Sequence, residues 1–228
     1  MNNPLHVVFD LGSFSIKGAV GRVNQDQELE ILSIQTIKTE SIECGTIVDK
    51  ERLRKDLEYL IDRIEKEAKI NIKDVMVSMS GETIKSINSL SRTSINDSTD
   101  SKIDEEIKSK LLSQCADIQV STGRHILHKI SQGFVIDDSP LVRNPLGMRG
   151  KIVEARAHVI HVQEFNLAQI DACFTGDLAI DINPVFDGLA SSYGNLSEDD
   201  KKLGVVFVDI GSDKTNVVIY KDKYLIHS

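Results

Sequence analysis

Two short segments of this 228-residue chain share a spacing of residues suited to holding phosphate. VVFDLGSFSIKGAV runs from Val7 to Val20, and VVFVDIGSDKTNVVIY from Val205 to Tyr220. In each, an apolar strand ends in Asp, an apolar residue, Gly and Ser, and a second strand follows two residues on. A tight turn of this kind points consecutive backbone N–H groups at a phosphate oxygen. Gly12 and Gly211 lack the Cβ that would block close approach. Asp10 and Asp209 each end an apolar strand, where an unpaired carboxylate is costly. Beside phosphates, each can hold waters around Mg²⁺. Two such hairpins facing each other would clamp a nucleoside triphosphate. Either copy alone reads equally well as a plain hairpin with a glycine turn; the recurrence at opposite ends of the chain makes the phosphate reading specific.

The hairpins require sheets to carry them. Residues 6–9 and 16–23 read as the arms of the first hairpin, with a third strand over about 28–36. Cys44-Gly45-Thr46-Ile47-Val48-Asp49 is a turn and a short extended piece, and Asp49 caps a helix over about 50–69. Leu53, Leu57, Leu60, Ile61, Ile64 and Ala68 fall on one face of that helix. Val75, Val77 and Met79 alternate in a strand that stops at Gly81.

From about residue 83 to 161 the texture changes. A polar edge strand and loop are expected over 86–100, and an amphipathic helix over 104–116. Paired short strands follow around Ser131-Gln132-Gly133, then a turn at Asn144-Pro145-Leu146-Gly147 and an alternating strand over 150–162. This reads as a small β-rich module with one helix, inserted into the first domain. Beyond it come a helix over 165–173, a strand over 178–182 and a helix over 185–196. A solvated charged loop at 197–202, a buried strand over 204–210 and its partner over 215–220 complete the pattern, with a further strand starting at Tyr224.

With 40% hydrophobic and 27% charged residues the composition is that of a globular protein. The net charge of −8 argues against a nucleic-acid surface and against a broadly basic membrane face. The N-terminus shows no secretory pattern, and no apolar run approaches the length of a membrane span. Cys44, Cys115 and Cys173 are read as reduced thiols of a cytoplasmic protein. His125, His128, His158 and His161 are expected as solvent-facing or edge histidines of the module rather than metal ligands.

DLGSFSIKG and VDIGSDKTN resemble the two phosphate hairpins of the actin, chaperone and sugar-kinase superfamily, and DINPVFDGLASSYG its interdomain helix. HKISQGFVIDDSPLVRNPLGMRGKIVEARAHVI, VSMSG, CGTIVD and DGLASSYGNLSEDDKKLGVVFVDIG resemble the FtsA family of bacterial cell-division proteins. That resemblance covers nearly the whole chain from Val7 onward. It implies an α/β, actin-like (ribonuclease H-like) fold built on a five-stranded mixed sheet. Residues 1–82 and 162–202 would form subdomain 1A, 83–161 an inserted small α+β module of the 1C type, and 203–228 the start of subdomain 2A. ATP would lie against Gly12, Ser13, Phe14 and Lys17 of one hairpin and Gly211, Ser212 and Asp213 of the other. Ser13, Phe14, Ser212 and Asp213 would act through backbone N–H groups. Lys17 matches the lysine that reaches the β- and γ-phosphates, and Asp10 and Asp209 would hold Mg²⁺ through water.

The family role implied is an adaptor that tethers FtsZ filaments to the inner face of the cytoplasmic membrane at the septum. It would assemble into filaments, and its inserted module would recruit later divisome proteins. The FtsZ-binding subdomain, the adenosine-contacting part and the C-terminal amphipathic membrane helix are expected outside these residues. Departures from the family pattern make ATP a conformational ligand with at most slow hydrolysis. Gly211-Ser212-Asp213 stands where three glycines are usual, and Asp213 brings a negative charge toward the phosphates unless Lys214 or Mg²⁺ offsets it. Position 216 is Asn rather than a carboxylate. No catalytic residue is assigned; Asp187 is the nearest candidate to orient water, and it reads as a helix-surface residue. The alternatives are a pilus-assembly actin-like protein, against which IDDSPLVR with NPLGMRG speaks, and an actin-fold small-molecule kinase, for which no substrate-binding acid is found.

Overall fold

The computed structural model describes residues 4–95, 102–117, 120–176 and 178–228. In chain order its elements are β1 (His6–Leu11), β2 (Ser15–Val23), β3 (Leu29–Lys38), β4 (Ile42–Glu43), β5 (Thr46–Ile47), α1 (Lys50–Ala68) and β6 (Asp74–Met79). There follow β7 (Lys85–Ser94), α2 (Glu105–Asp117), β8 (Arg124–Ile136), β9 (Ile152–Gln163) and α3 (Glu164–Phe174). The chain continues with β10 (Asp181–Phe186), α4 (Asp187–Asn195), α5 (Glu198–Leu203), β11 (Val205–Ile210), β12 (Thr215–Lys221) and β13 (Tyr224–His227). The described residues fall into two compact units, one of 1–84, 163–191 and 209–216, the other of 85–162, 192–208 and 217–228.

The first unit is organised by a five-stranded sheet in the order β10-β6-β1-β2-β3. β2 runs antiparallel to both β1 and β3, while β6 pairs in parallel with both β1 and β10. α1 starts where Asp49 accepts a 2.9 Å hydrogen bond from the Arg52 backbone N–H, and ends at Lys69 in the left-handed conformation. Its buried stripe of Leu53, Leu57, Leu60, Ile61 and Ile64 packs on the sheet. Phe9 meets Phe174 of α3 edge to face, ring centroids 5.6 Å apart. A Cβ at Gly18 would stand 2.7 Å from Ile64 and 2.8 Å from Phe9, so the glycine allows β2 and α1 to close on each other.

The second unit holds a three-stranded sheet, β7-β9-β8, with α2 against it. Ile103, Leu111, Cys115, Phe134, Ile136, Val153, Ala155, Ala157 and Val159 form its own core. Lys85 and His161 are register partners, so the chain enters and leaves this sheet at one place. Residues 125–136, expected as two paired strands, lie within one strand. Gly133 takes φ +110° there, and its neighbour Phe134 bridges Val142. One residue with positive φ bends a strand, whereas the common two-residue hairpin turns need a turn dipeptide.

Other differences trace to pairing and capping. His158 and His161 are buried, because β9 is the central strand of its sheet, while His125 is exposed as expected. The charged stretch at 197–202 is not a loop but forms α5, with a capping box between Ser197 and Asp200 and its acids and bases placed to suit the helix dipole. Lys201 is buried, its ammonium 4.6 Å from the Tyr193 ring centroid and 5.7 Å from that of Tyr220. β11 alternates rather than being buried throughout: Val206, Val208 and Ile210 are 59%, 49% and 79% exposed. β10 runs on to Phe186, so α4 begins at Asp187, two residues later than expected. The loop part of the expected segment 86–100 lies partly outside the described residues. No helix among those described is long and apolar enough to cross a membrane.

Candidate functional site

Three parallel strands of the first unit end side by side, and ligands of open α/β sheets bind outside such carboxyl ends. Asp10 of β1 is in register with Ser78 of β6, and Ser78 with Val185 of β10. One residue past the end of β10, Asp187 opens α4. The Ser78 hydroxyl donates to Asp10 Oδ1 at 2.9 Å. Across the first hairpin Lys17 is the register partner of Asp10, and its Nζ lies 3.0 Å from Asp10 Oδ2. Both side chains are about half exposed, so the pair adds little stability and leaves the ammonium accessible to an anion. A Cβ on Gly12 would stand 2.8 Å from the Ser15 carbonyl oxygen, which reserves the turn for glycine. Phe14 is exposed at its tip, with the Lys38 ammonium 5.4 Å from the ring centroid.

The second hairpin repeats this plan. Asp209 is the fifth residue of six-residue β11, as Asp10 is of six-residue β1. Gly211 N–H closes the turn on the Lys214 carbonyl at 2.9 Å. Ser212 is exposed beside it. Seven residues beyond Asp209 stands Asn216, where the first hairpin has Lys17 seven beyond Asp10. The Asn216 amide donates to Asp187 Oδ2 at 3.2 Å and reaches Asp209 Oδ2 at 3.5 Å.

Asp187 therefore differs from the sequence expectation of a helix-surface residue. It is half-buried, and burial, together with the charges of Asp10 and Asp209, pushes its carboxyl up; Lys214 and Ser191 oppose the shift. The Asp213 carboxylate accepts a 2.6 Å hydrogen bond from the Cys44 backbone N–H. Burial works against its charged form, but the Ser13 hydroxyl dipole, Cys44 N–H and Lys214 outweigh that and hold its carboxyl below the usual range. Ser13 Oγ is itself buried, and its hydroxyl is among the groups that lower Asp213.

The Cys44 turn is locked against the end of β6. Gly45 and Gly81 both have positive φ; a Cβ on Gly45 would stand 1.9 Å from the Ser80 carbonyl oxygen, and one on Gly81 2.5 Å from that of Cys44. Two cavities flank these groups. One of about 410 Å³ is lined by Val8, Asp10, Ser78, Val185, Asp187 and Ala190 among others. The other, about 320 Å³, is lined by Cys44, Glu82, Asp213, Lys214 and Asn216 among others. Among the described residues no group of three or more His, Cys, Asp or Glu side chains is set to chelate a metal directly. Three carboxylates close enough for Asp10 and Asp209 to raise Asp187 nonetheless fit a hydrated divalent cation, which would relieve their repulsion.

The residues singled out in the two hairpins all lie in one unit; of them Asp10 lines the cavity of about 410 Å³ and Asp213 the one of about 320 Å³. Sequence reasoning passed over Ser78 and the part played by Cys44, and set Asp187 aside. The Ser78–Asp10 contact spans 68 residues and the Cys44–Asp213 contact 169, so neither left a local signal in the sequence.

Residues 81–161 match a family model described as the SHS2 domain inserted in FtsA. The chain is 30% identical over 223 residues to the cell division protein FtsA of Borreliella burgdorferi, covering 97% of this chain and 54% of the relative. It is 30% identical to that of Pseudomonas aeruginosa, covering 97% of this chain and 52% of the relative, and 27% identical to that of Escherichia coli K12, at 98% and 53%. The chain thus spans about half the length of the curated relatives it matches. Among solved structures, a PilM–PilN type IV pilus biogenesis complex superposes with TM-score 0.61 at 13% identity, over 99% of this chain and 60% of that one. The ethanolamine utilization protein EutJ of Carboxydothermus hydrogenoformans gives TM-score 0.51 at 10% identity, over 99% and 51%. These likenesses speak for the fold alone, an actin-like mixed α/β architecture carrying an SHS2 insertion.

Proposed function

We propose that the chain is a member of the FtsA family of cell-division proteins, which its relatives and its matched SHS2 segment support, and that it serves as an ATP-binding, actin-like adaptor at the division septum. Lys17 would lie on the β- and γ-phosphates. Gly12, Ser13 and Phe14, with Gly211, Ser212 and Asp213, would offer backbone N–H groups to them. Asp10 and Asp209, joined by Asp187, would hold the water shell of Mg²⁺. The observation that carries this reading is the repeated Asp-turn-donor unit, Asp10 with Lys17 and Asp209 with Asn216, meeting at Asp187.

The wider role follows the family. ATP would act as a conformational ligand, and the protein would assemble with further copies of itself. It would connect FtsZ filaments to the cytoplasmic face of the membrane and recruit later divisome proteins through the inserted domain.

Calorimetry of ATP with Mg²⁺ tests the site in the full-length protein that carries this sequence. Lys17→Ala should weaken binding about tenfold or more, the effect of losing one charge-assisted phosphate contact of roughly 1.5–3 kcal/mol. Equal affinity in wild type and variant would remove the nucleotide from the first hairpin.

A further inference from the structure

The side chain of Asn216 has three relationships that together give it a task. Its amide donates to Asp187 Oδ2 at 3.2 Å and lies 3.5 Å from Asp209 Oδ2. Its Cβ sits where α4 has no side chain: a Cβ on Gly188 would come within 3.1 Å of it, and within 2.8 Å of the Phe186 ring. Its place in the second hairpin is that of Lys17 in the first, seven residues after the strand-end Asp. Lys17 meets its Asp with a full positive charge, whereas Asn216 meets two carboxylates with none.

Two carboxylates close to one another repel unless a cation or a hydrogen-bond donor stands between them. Here the neutral NH₂ group supplies the donor, and Gly188 lets it approach the first turn of α4 closely enough to do so. Asp187 Oδ1 is 3.4 Å from the Ser191 hydroxyl, so that carboxylate is steadied from both sides. We propose that Asn216 is a positioning residue of the divalent-cation site, holding Asp187 and Asp209 at the separation a hydrated cation requires before the cation arrives. The inference rests on the nucleotide-site reading above. Its chemistry is pre-organisation: the cation finds the carboxylates already set and spends less of its binding free energy on ordering them.

The charge at position 216 sets opposite signs for two substitutions. Asn216→Ala removes the donor and adds no charge, so Asp187 and Asp209 move apart and cation affinity falls. Asn216→Asp keeps the shape beside Gly188 and adds a third carboxylate, so cation affinity rises although the clamp is lost. General damage to the fold would move both variants the same way. The test is Mn²⁺ binding followed by electron paramagnetic resonance without nucleotide, alongside ATP calorimetry on the same full-length proteins. Asn216→Ala should raise the Mn²⁺ dissociation constant severalfold, and Asn216→Asp should lower it. Shifts in the same direction, or no shift in either, would overturn the positioning role while wild-type ATP binding stands. Wild type that binds neither Mn²⁺ nor ATP would overturn the functional reading and this inference together.

Discussion

The carboxylate of Asp213 is tied to Cys44 by a 2.6 Å hydrogen bond from the Cys44 backbone N–H. The charge expected near the phosphates is therefore also an anchor for the Cys44–Gly45 turn. The two roles separate by substitution. Asp213→Asn keeps an oxygen acceptor for Cys44 and removes the charge, so ATP affinity should rise severalfold with little change in melting temperature. Asp213→Ala removes the acceptor as well, and should cost about 1 kcal/mol of stability for an exposed charge-assisted hydrogen bond. Unchanged ATP affinity in Asp213→Asn would mean that the charge does not reach the phosphates.

Hydrolysis should be slow. Asp187, the nearest candidate to orient water, already accepts hydrogen bonds from Asn216 and Ser191, and no other carboxylate is assigned to that task. The expected turnover lies at least 100-fold below the roughly 10 s⁻¹ typical of enzymes. Brisk Mg²⁺-dependent phosphate release from purified full-length protein would refute this.

The inserted domain should be removable. Its core is its own, and its ends meet at the Lys85–His161 pair, so joining the chain across that point asks for little movement. Deleting residues 85–161 should leave a folded first unit by circular dichroism while abolishing self-association or partner recruitment. An unfolded deletion protein would make the module part of the main core. A folded one that still assembles and recruits as before would remove its interaction role.

His158 gives a pH dependence of known sign. Its Nδ1 is hydrogen-bonded with Asn88 Oδ1 at 2.7 Å and its Nε2 with Ser228 Oγ at 2.8 Å. Burial, and then the nearby His227, push its pKa down from 6.5 to about 4. Between those values the unfolded chain takes up a proton that the folded chain refuses. Stability from this residue is thus complete above about pH 6.5 and is lost as pH falls toward 4, by as much as roughly 3 kcal/mol. Replacing His158 by Gln should flatten the fall in melting temperature between pH 6.5 and 4. An unaltered slope would show that His158 titrates normally.

What the sequence determined by itself is local. Asp49 as the cap of α1, the apolar stripe from Leu53 to Ile64, and the two Asp-Gly-Ser turns follow from side chains a few residues apart, which the periodicities of helix and strand make visible. Tertiary structure decided whatever depends on a neighbour distant in the chain. His158 is buried because β9 became a central strand, and Lys201 because two tyrosines close over a helix that reads as a loop. Asp187 left the helix surface for the site because β6, β1 and β10 align in parallel and Asn216 reaches it from the second hairpin. A carboxylate's role depends on the charges and donors within a few ångströms of it, and strand register, which no local pattern in one sequence encodes, brings those groups together.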